Sequence, residues 1–151
     1  MSIEIHAEID IDAPPEVVWE VLTDFGRYPR WNPFIVEIRG EARAGETLEV
    51  TVAPPGQERR VFRTRVTHAD RAGELTWIGR LPIPGLLDGE HSFVVAPRRH
   101  GNGTRFIQHE NFSGVLLGFV SDAEEAVRAG FHAMNAAIKA EAERRVVAVA
   151  A

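Results

Sequence analysis

Apolar and polar residues alternate along the first segment of the chain and along six later ones. From Ile3 to Ile11, isoleucine or alanine occupies every second position between glutamate, histidine and aspartate, which is typical of a half-buried strand. Comparable segments predict strands at 34–39, 47–52, 60–68, 74–79, 89–96 and 104–112. Short turns such as HGNG at 100–103 separate most of them. Consecutive strands joined in this way predict an antiparallel sheet of seven strands.

The last third of the chain has a helical period instead. Between 121 and 145, apolar residues return every three or four positions, including Val127, Phe131, Met134 and Ile138. This spacing keeps them on one face and predicts a single amphipathic helix about 35–40 Å long. Ser121 is expected to cap its start. Residues 146–151 are expected to fray.

A shorter helix is predicted between the first two strands. Val17, Val18, Val21 and Leu22 give the segment 15–23 an apolar face, and Asp12 is the expected N-cap before the two prolines. The following segment, 24–34, is rich in aromatic residues and proline, which indicates an irregular helical turn and then a fixed corner.

Composition and charge narrow the classes of function. A chain of 151 residues with 44% apolar residues predicts one domain, spanning 1–151, with a substantial core. The net charge of −5 argues against nucleic acid as a partner. With no cysteine, thiolate chemistry and disulfides are excluded. No apolar run is long enough for stable membrane insertion and the first residues do not form a signal peptide, so a cytoplasmic protein is expected.

No cofactor or metal is predicted. The histidines at 6, 68, 100, 109 and 132 have no spacing that builds a metal site, and the chain has no glycine-rich phosphate loop and no serine nucleophile elbow. The oligomeric state has no signature in the sequence.

Four short motifs resemble one known family. The segment IDAPPEVVW at 11–19 resembles its I-x-A-P-x-E-x-V-W pattern, and YPRWNP at 28–33 resembles its Y-x-x-W-N-P turn. GEHSF at 89–93 and QHENFSG at 108–114 resemble its last two strands. The chain is therefore similar to the START-like, or SRPBCC (Bet v 1-like), superfamily, close to its polyketide cyclase/dehydrase-like members.

The resemblance implies an α+β helix-grip fold. In that fold a curved, seven-stranded antiparallel sheet wraps around the long C-terminal helix, and two short helices follow the first strand. A deep hydrophobic cavity between sheet and helix is also implied. Relatives include lipid carriers, plant hormone binders, aromatic polyketide cyclases and ring-hydroxylase subunits, so the resemblance leaves the activity open.

The last two predicted strands place ionisable residues in the interior. A hairpin centred on the turn at 100–101 keeps the apolar residues on one face, whereas a shift by one residue mixes the faces. The preferred register gives the pairs His91–Glu110, Phe93–Gln108 and Val95–Phe106. His91 and Glu110 then point inward, where ionisable groups need partners.

Two interpretations of this pair remain open. In the first, His91 is a general acid/base oriented by Glu110, and Gln108 holds the polar end of a ligand. In the second, the pair is a hydrogen-bonded polar patch that stabilises the sheet or binds a ligand hydroxyl group. The predicted ligand contacts are Trp77, Leu86, Phe93, Phe106, Gln108, Phe112, Phe131 and Met134.

Several of these contacts have a structural alternative. Trp77, Phe131 and Met134 line the cavity if it is open and form core if it is filled. The apolar segment 81–88 contains two prolines and a glycine, so it is either a lid over the cavity or a loop packed under the helix.

Three hypotheses for function follow. The first is a binding module for a hydrophobic small molecule that is lipid-like, isoprenoid or aromatic. The second is an enzyme of the polyketide cyclase/dehydratase type that uses His91 and Glu110. The third is a protein-partner or chaperone-like module that binds through the segment 81–87 and the edge of the long helix.

Overall fold

A computed structural model of the protein describes residues 2–80, 88–114 and 123–150. The strands are β1 (Ser2–Ile11), β2 (Ile35–Arg39), β3 (Thr47–Val52), β4 (Arg60–Asp70), β5 (Glu74–Arg80), β6 (Asp88–Pro97) and β7 (Thr104–Ser113). The helices are α1 (Pro15–Thr23), a 3-10 turn (Phe25–Arg27), α2 (Tyr28–Trp31) and α3 (Glu124–Ala150).

The seven strands form one antiparallel sheet in the order β1-β7-β6-β5-β4-β3-β2. Alternation along each strand gives the sheet an apolar inner face, and the sheet curls around α3, which packs against β1 and α1. The core lies between these layers. Its largest fully buried side chains include Tyr28, Phe93, Phe106, Phe131 and Leu75. The predicted α+β helix-grip fold is confirmed.

The predicted register of the last hairpin is also confirmed. His91 pairs with Glu110, Phe93 with Gln108 and Val95 with Phe106. Gly101 lies in the connecting turn with a φ of 86°, a conformation that glycine adopts without steric cost. The strands begin or end within two residues of their predicted limits.

Two predictions about helix ends are wrong. The N-cap of α1 is Pro14, whose carbonyl accepts the first helical bonds, because the helix begins at Pro15. Asp12 instead binds Arg98 through its carboxylate, and its backbone N–H donates to Glu143. At the other end, α3 continues through 146–150 rather than fraying. Alanine and partly buried Val146 allow this continuation. The expected cap Ser121 lies outside the described residues.

The aromatic corner after α2 has a structural role. Asn32 is buried, and its side-chain oxygen accepts hydrogen bonds from the backbone N–H groups of Phe34 and Ile35 at 3.0 and 2.9 Å. The amide thereby fixes the direction in which the chain enters β2.

Among the described residues, no helix combines the length and apolar character that crossing a membrane requires.

Candidate functional site

His91 and Glu110 face each other across β6 and β7 on the inner side of the sheet. Nδ1 of His91 lies 3.1 Å from Oε2 of Glu110, and their side chains are 5% and 15% exposed. The two residues are directly opposite in the strand register, which is why the contact forms. The structure therefore brings the two candidate catalytic residues together in the interior.

The histidine ring itself is enclosed. It stacks on Phe93 with ring centroids 4.0 Å apart and on Phe131 with centroids 4.9 Å apart. Trp77 meets it edge-on at 5.6 Å. Its second nitrogen, Nε2, lies 3.1 Å from Oε1 of Gln108. Both nitrogens of the ring thus have a partner, and Glu110 is the more exposed member of the pair.

Gln108 connects the histidine to the long helix. It is fully buried, and its Nε2 donates to Oδ1 of Asn135 at 2.7 Å and approaches the carbonyl oxygen of Phe131 at 3.4 Å. Four side chains thus form one polar chain from sheet to helix, in the order Glu110, His91, Gln108 and Asn135. We call this chain the polar relay. Only its Glu110 end has appreciable exposure.

The exposed end of the polar relay borders a part of the sheet without side chains. Gly79 and Gly89 pair directly across β5 and β6, on the same face as His91. A Cβ added at Gly89 would lie 3.1 Å from Oε1 of Glu110 and 3.2 Å from the ring of Phe112. A Cβ at Gly79 would lie 3.3 Å from a methyl group of Thr64. We call Gly79 and Gly89 the glycine floor; the Glu110 carboxylate and the Phe112 ring lie against Gly89, and Thr64 lies against Gly79.

The predicted ligand contacts divide into two groups. Phe93, Phe106, Gln108, Phe131 and Met134 are fully buried in the core around His91. Their role as ligand contacts stays a prediction.

Two further predicted contacts, Trp77 and Phe112, lie within the described residues. Trp77 is 4% exposed and packs against Phe93 with ring centroids 4.9 Å apart. Phe112 is partly buried and lies next to the glycine floor. Leu86 and the rest of the apolar segment 81–87 lie outside the described residues. The third hypothesis, which uses that segment and the helix edge, stays a prediction.

Two cavities lined by described residues open on the outer face of the sheet. One, of about 610 Å³, lies along β3, β4 and β5 beside Thr47, Arg63, Arg65 and Arg80. The other, of about 240 Å³, includes Glu90 and neighbouring polar residues. Alternation places these side chains on the face opposite His91 and Glu110. Neither cavity belongs to the polar relay.

Sequence reasoning missed three residues of this site. Asn135 follows Phe131 by four positions and precedes Ile138 by three, so the helical period places it on the buried face. A polar residue there was a detectable signal. The pairing of Gly79 with Gly89 had no comparable signal, because it depends on the register between β5 and β6.

Within the described segments, His, Asp and Glu side chains form no cluster of three suited to a metal ion.

The amino-acid sequence of this chain matches one known protein family. The model of the family described as "Polyketide cyclase / dehydrase and lipid transport" matches residues 2–143. No curated protein matches the chain.

Solved structures share the fold at low sequence identity. The Zhui aromatase/cyclase from a Streptomyces species is 19% identical, with a TM-score of 0.78 over 97% of this chain and 96% of that one. A point mutant of norcoclaurine synthase from Thalictrum flavum, in complex with a transition-state analogue, is 16% identical, with a TM-score of 0.72 over 96% of both chains. The di-domain aromatase/cyclase StfQ from the steffimycin biosynthetic pathway is 11% identical, with a TM-score of 0.75 over 97% of this chain and 52% of that one. At these identities the likeness shows the fold alone.

Proposed function

The chain belongs to the polyketide cyclase / dehydrase and lipid transport family, and we propose that it binds a hydrophobic small molecule whose polar group meets Glu110. The observation that carries this proposal is the position of Glu110. Glu110 is the exposed end of the buried polar relay, and its carboxylate lies beside the glycine floor formed by Gly79 and Gly89. A mostly apolar site with one well-placed polar group is the usual design of a small-molecule pocket.

The surroundings of Glu110 determine the character of the ligand. Phe112 lies against Gly89 of the glycine floor, on the same face of the sheet as Glu110. The Phe112 ring provides apolar contact area beside the carboxylate. An aromatic or isoprenoid ligand with one polar group fits this combination.

Binding is tested first with the ligand that the protein carries. Native mass spectrometry of the purified protein should reveal a bound small molecule, and calorimetry with naphthol provides a defined probe. Glu110→Leu should weaken naphthol binding about tenfold, because it removes the proposed hydrogen bond between the Glu110 carboxyl group and the naphthol hydroxyl group.

Glu90→Leu is the matched control for that variant. Glu90 is an exposed glutamate on the neighbouring strand, and alternation places it on the opposite face of the sheet. It should leave naphthol binding unchanged. Equal effects of the two substitutions would exclude Glu110 from the binding site.

A second candidate function is proton transfer within the same site. The observation that favours it is the pairing of Glu110 with a buried histidine, an arrangement that can hold and return a proton. In a β-hydroxy ketone, Glu110 would take the proton from the carbon between the carbonyl and the hydroxyl-bearing carbon. The electron pair would form the C=C bond, the C–O bond would break, and the same proton would leave with the hydroxyl oxygen as water.

These roles differ from the first interpretation of the sequence. Here Glu110 contacts the substrate, and His91, enclosed by Phe93 and Phe131, positions and stabilises Glu110. A β-hydroxy ketone whose dehydration gives a conjugated enone allows the reaction to be followed by near-ultraviolet absorbance. Turnover that is lost in Glu110→Gln while binding persists would support an enzyme. Binding without any turnover would leave the carrier function.

A further inference from the structure

The backbone carbonyl of Phe131 fixes the orientation of the Gln108 side chain. A carbonyl oxygen can only accept hydrogen bonds, and it lies 3.4 Å from the end of the Gln108 amide that also contacts Asn135 at 2.7 Å. Rotating the amide by half a turn would bring two oxygens together at the Phe131 carbonyl. The amide nitrogen therefore faces the helix, and Oε1 faces His91.

This orientation determines which nitrogen of His91 carries hydrogen. Oε1 of Gln108 is an acceptor and lies 3.1 Å from Nε2 of His91, so the hydrogen bond requires a hydrogen on Nε2. The other nitrogen, Nδ1, lies 3.1 Å from Oε2 of Glu110. A proton must also lie in that contact, either on Nδ1, opposite a carboxylate, or on Oε2, opposite a neutral ring.

Both arrangements have the same consequence for Glu110. In each of them the shared proton lies between Nδ1 and Oε2, so Oε1 remains a hydrogen-bond acceptor. Oε1 is also the oxygen that lies beside Gly89, which is part of the glycine floor. The atom presented to a ligand is therefore an acceptor in either case.

We propose that Gln108, held by Phe131 and Asn135, is a positioning residue that keeps hydrogen on Nε2 of His91, and that the site consequently selects ligands with a hydroxyl donor. A phenol, enol or alcohol satisfies Oε1, whereas a ketone, ether or ester leaves two acceptors facing each other. This inference rests on the proposed binding function and specifies its ligand class.

The hydrogen on Nε2 can be measured without any ligand. In protein labelled with ¹⁵N-histidine, two-bond ¹H–¹⁵N correlation spectra distinguish a nitrogen that carries hydrogen from one that does not, and His91→Gln identifies the signals of His91. At neutral pH, Nε2 should have the shift of a nitrogen that carries hydrogen. A spectrum with hydrogen on Nδ1 and none on Nε2 would overturn the inference.

Two variants separate positioning from general structural effects. Gln108→Met has a similar volume but replaces the amide oxygen with a thioether sulfur, which accepts hydrogen bonds only weakly, so it should move the His91 signals. Asn111→Ser, on the outer face of the same strand, should leave them in place. Unmoved His91 signals in folded Gln108→Met would contradict the assigned role.

The ligand class is tested with a matched pair of probes. Naphthol should bind about tenfold more tightly than methoxynaphthalene, which has the same rings but no donor. Equal affinities, or tighter binding of the ether, would overturn the hydroxyl preference. If neither probe binds while Nε2 carries hydrogen, the proposed binding function and the hydroxyl preference are both contradicted, and only the positioning role of Gln108 is supported.

Discussion

Gly130 of α3 and Phe34 at the corner before β2 are in direct contact. A Cβ added at Gly130 would lie 2.1 Å from Cδ1 of the Phe34 ring, so any side chain at this position displaces the ring. Phe34 is buried and packs edge-on against Phe131, with ring centroids 5.7 Å apart. Phe131 in turn stacks on His91. The contact at Gly130 thus connects the corner before β2 to the aromatic residues that enclose His91.

Gly130→Ala is expected to destabilise the protein although alanine favours helices. The gain in helix propensity is about 1 kcal/mol, whereas overpacking a core costs about 1–3 kcal/mol and here involves an aromatic ring. We expect a net loss of about 1–2 kcal/mol in the free energy of unfolding, measured by urea denaturation. In a Phe34→Ala background the same substitution should be neutral or stabilising. A loss of equal size in both backgrounds would show that the ring is not the cause.

The sheet could be read from the sequence because its signals are local. Alternation and turn residues placed all seven strands, and one turn at 100–103 fixed the pairing of His91 with Glu110. The buried face of α3 followed from its period in the same way. Asn135 could have been included, since its position on that face was readable.

The chemistry of the site depended on information that is not local. The enclosure of His91 by Phe93 and Phe131 combines residues from β6 and α3, and no spacing along the chain encodes that contact. The sequence therefore indicated which residues meet but not that the histidine ring is enclosed. The glycine floor likewise forms only because strand pairing brings Gly79 and Gly89 together.

Gly89→Ala should impair the site while preserving the fold. The added methyl group would approach Oε1 of Glu110 and the Phe112 ring, which must shift by a few tenths of an ångström. We expect naphthol affinity to fall about three- to tenfold, equivalent to about 1 kcal/mol. Gly26→Ala is the control, because the nearest atom to its added Cβ is 4.0 Å away. Unchanged affinity in Gly89→Ala would exclude the glycine floor from the site.

His91 and Glu110 should show energetic coupling in a double-mutant cycle. His91→Leu leaves a largely buried carboxylate without its partner, whereas His91→Leu combined with Glu110→Gln removes that charge. We expect a coupling of about 1–3 kcal/mol in the free energy of unfolding. Urea denaturation of the four proteins at neutral pH provides the measurement. Strictly additive losses would mean that the contact contributes nothing to stability.

Tyr28 provides a test of the core at alkaline pH. It is fully buried, its hydroxyl donates to the carbonyl of Leu22, and burial, with a smaller effect of the Asp24 charge, raises the pKa of Tyr28 far above its ordinary value of 10.0. The folded state therefore binds this proton more tightly than the unfolded state. Its contribution to stability is complete below pH 10.0 and is lost as the pH rises further.

The measurement is simple because Tyr28 is the only tyrosine in the chain. Tyrosinate absorbance should appear only together with unfolding, followed by circular dichroism, and stability should fall by about 1.4 kcal/mol per pH unit above that point from this group. Tyr28→Phe should cost about 1 kcal/mol at neutral pH by removing the hydrogen bond, and should flatten the alkaline loss. Tyrosinate that forms while the fold persists would show that the hydroxyl reaches water and that the core around α2 is less tightly packed than the structure indicates.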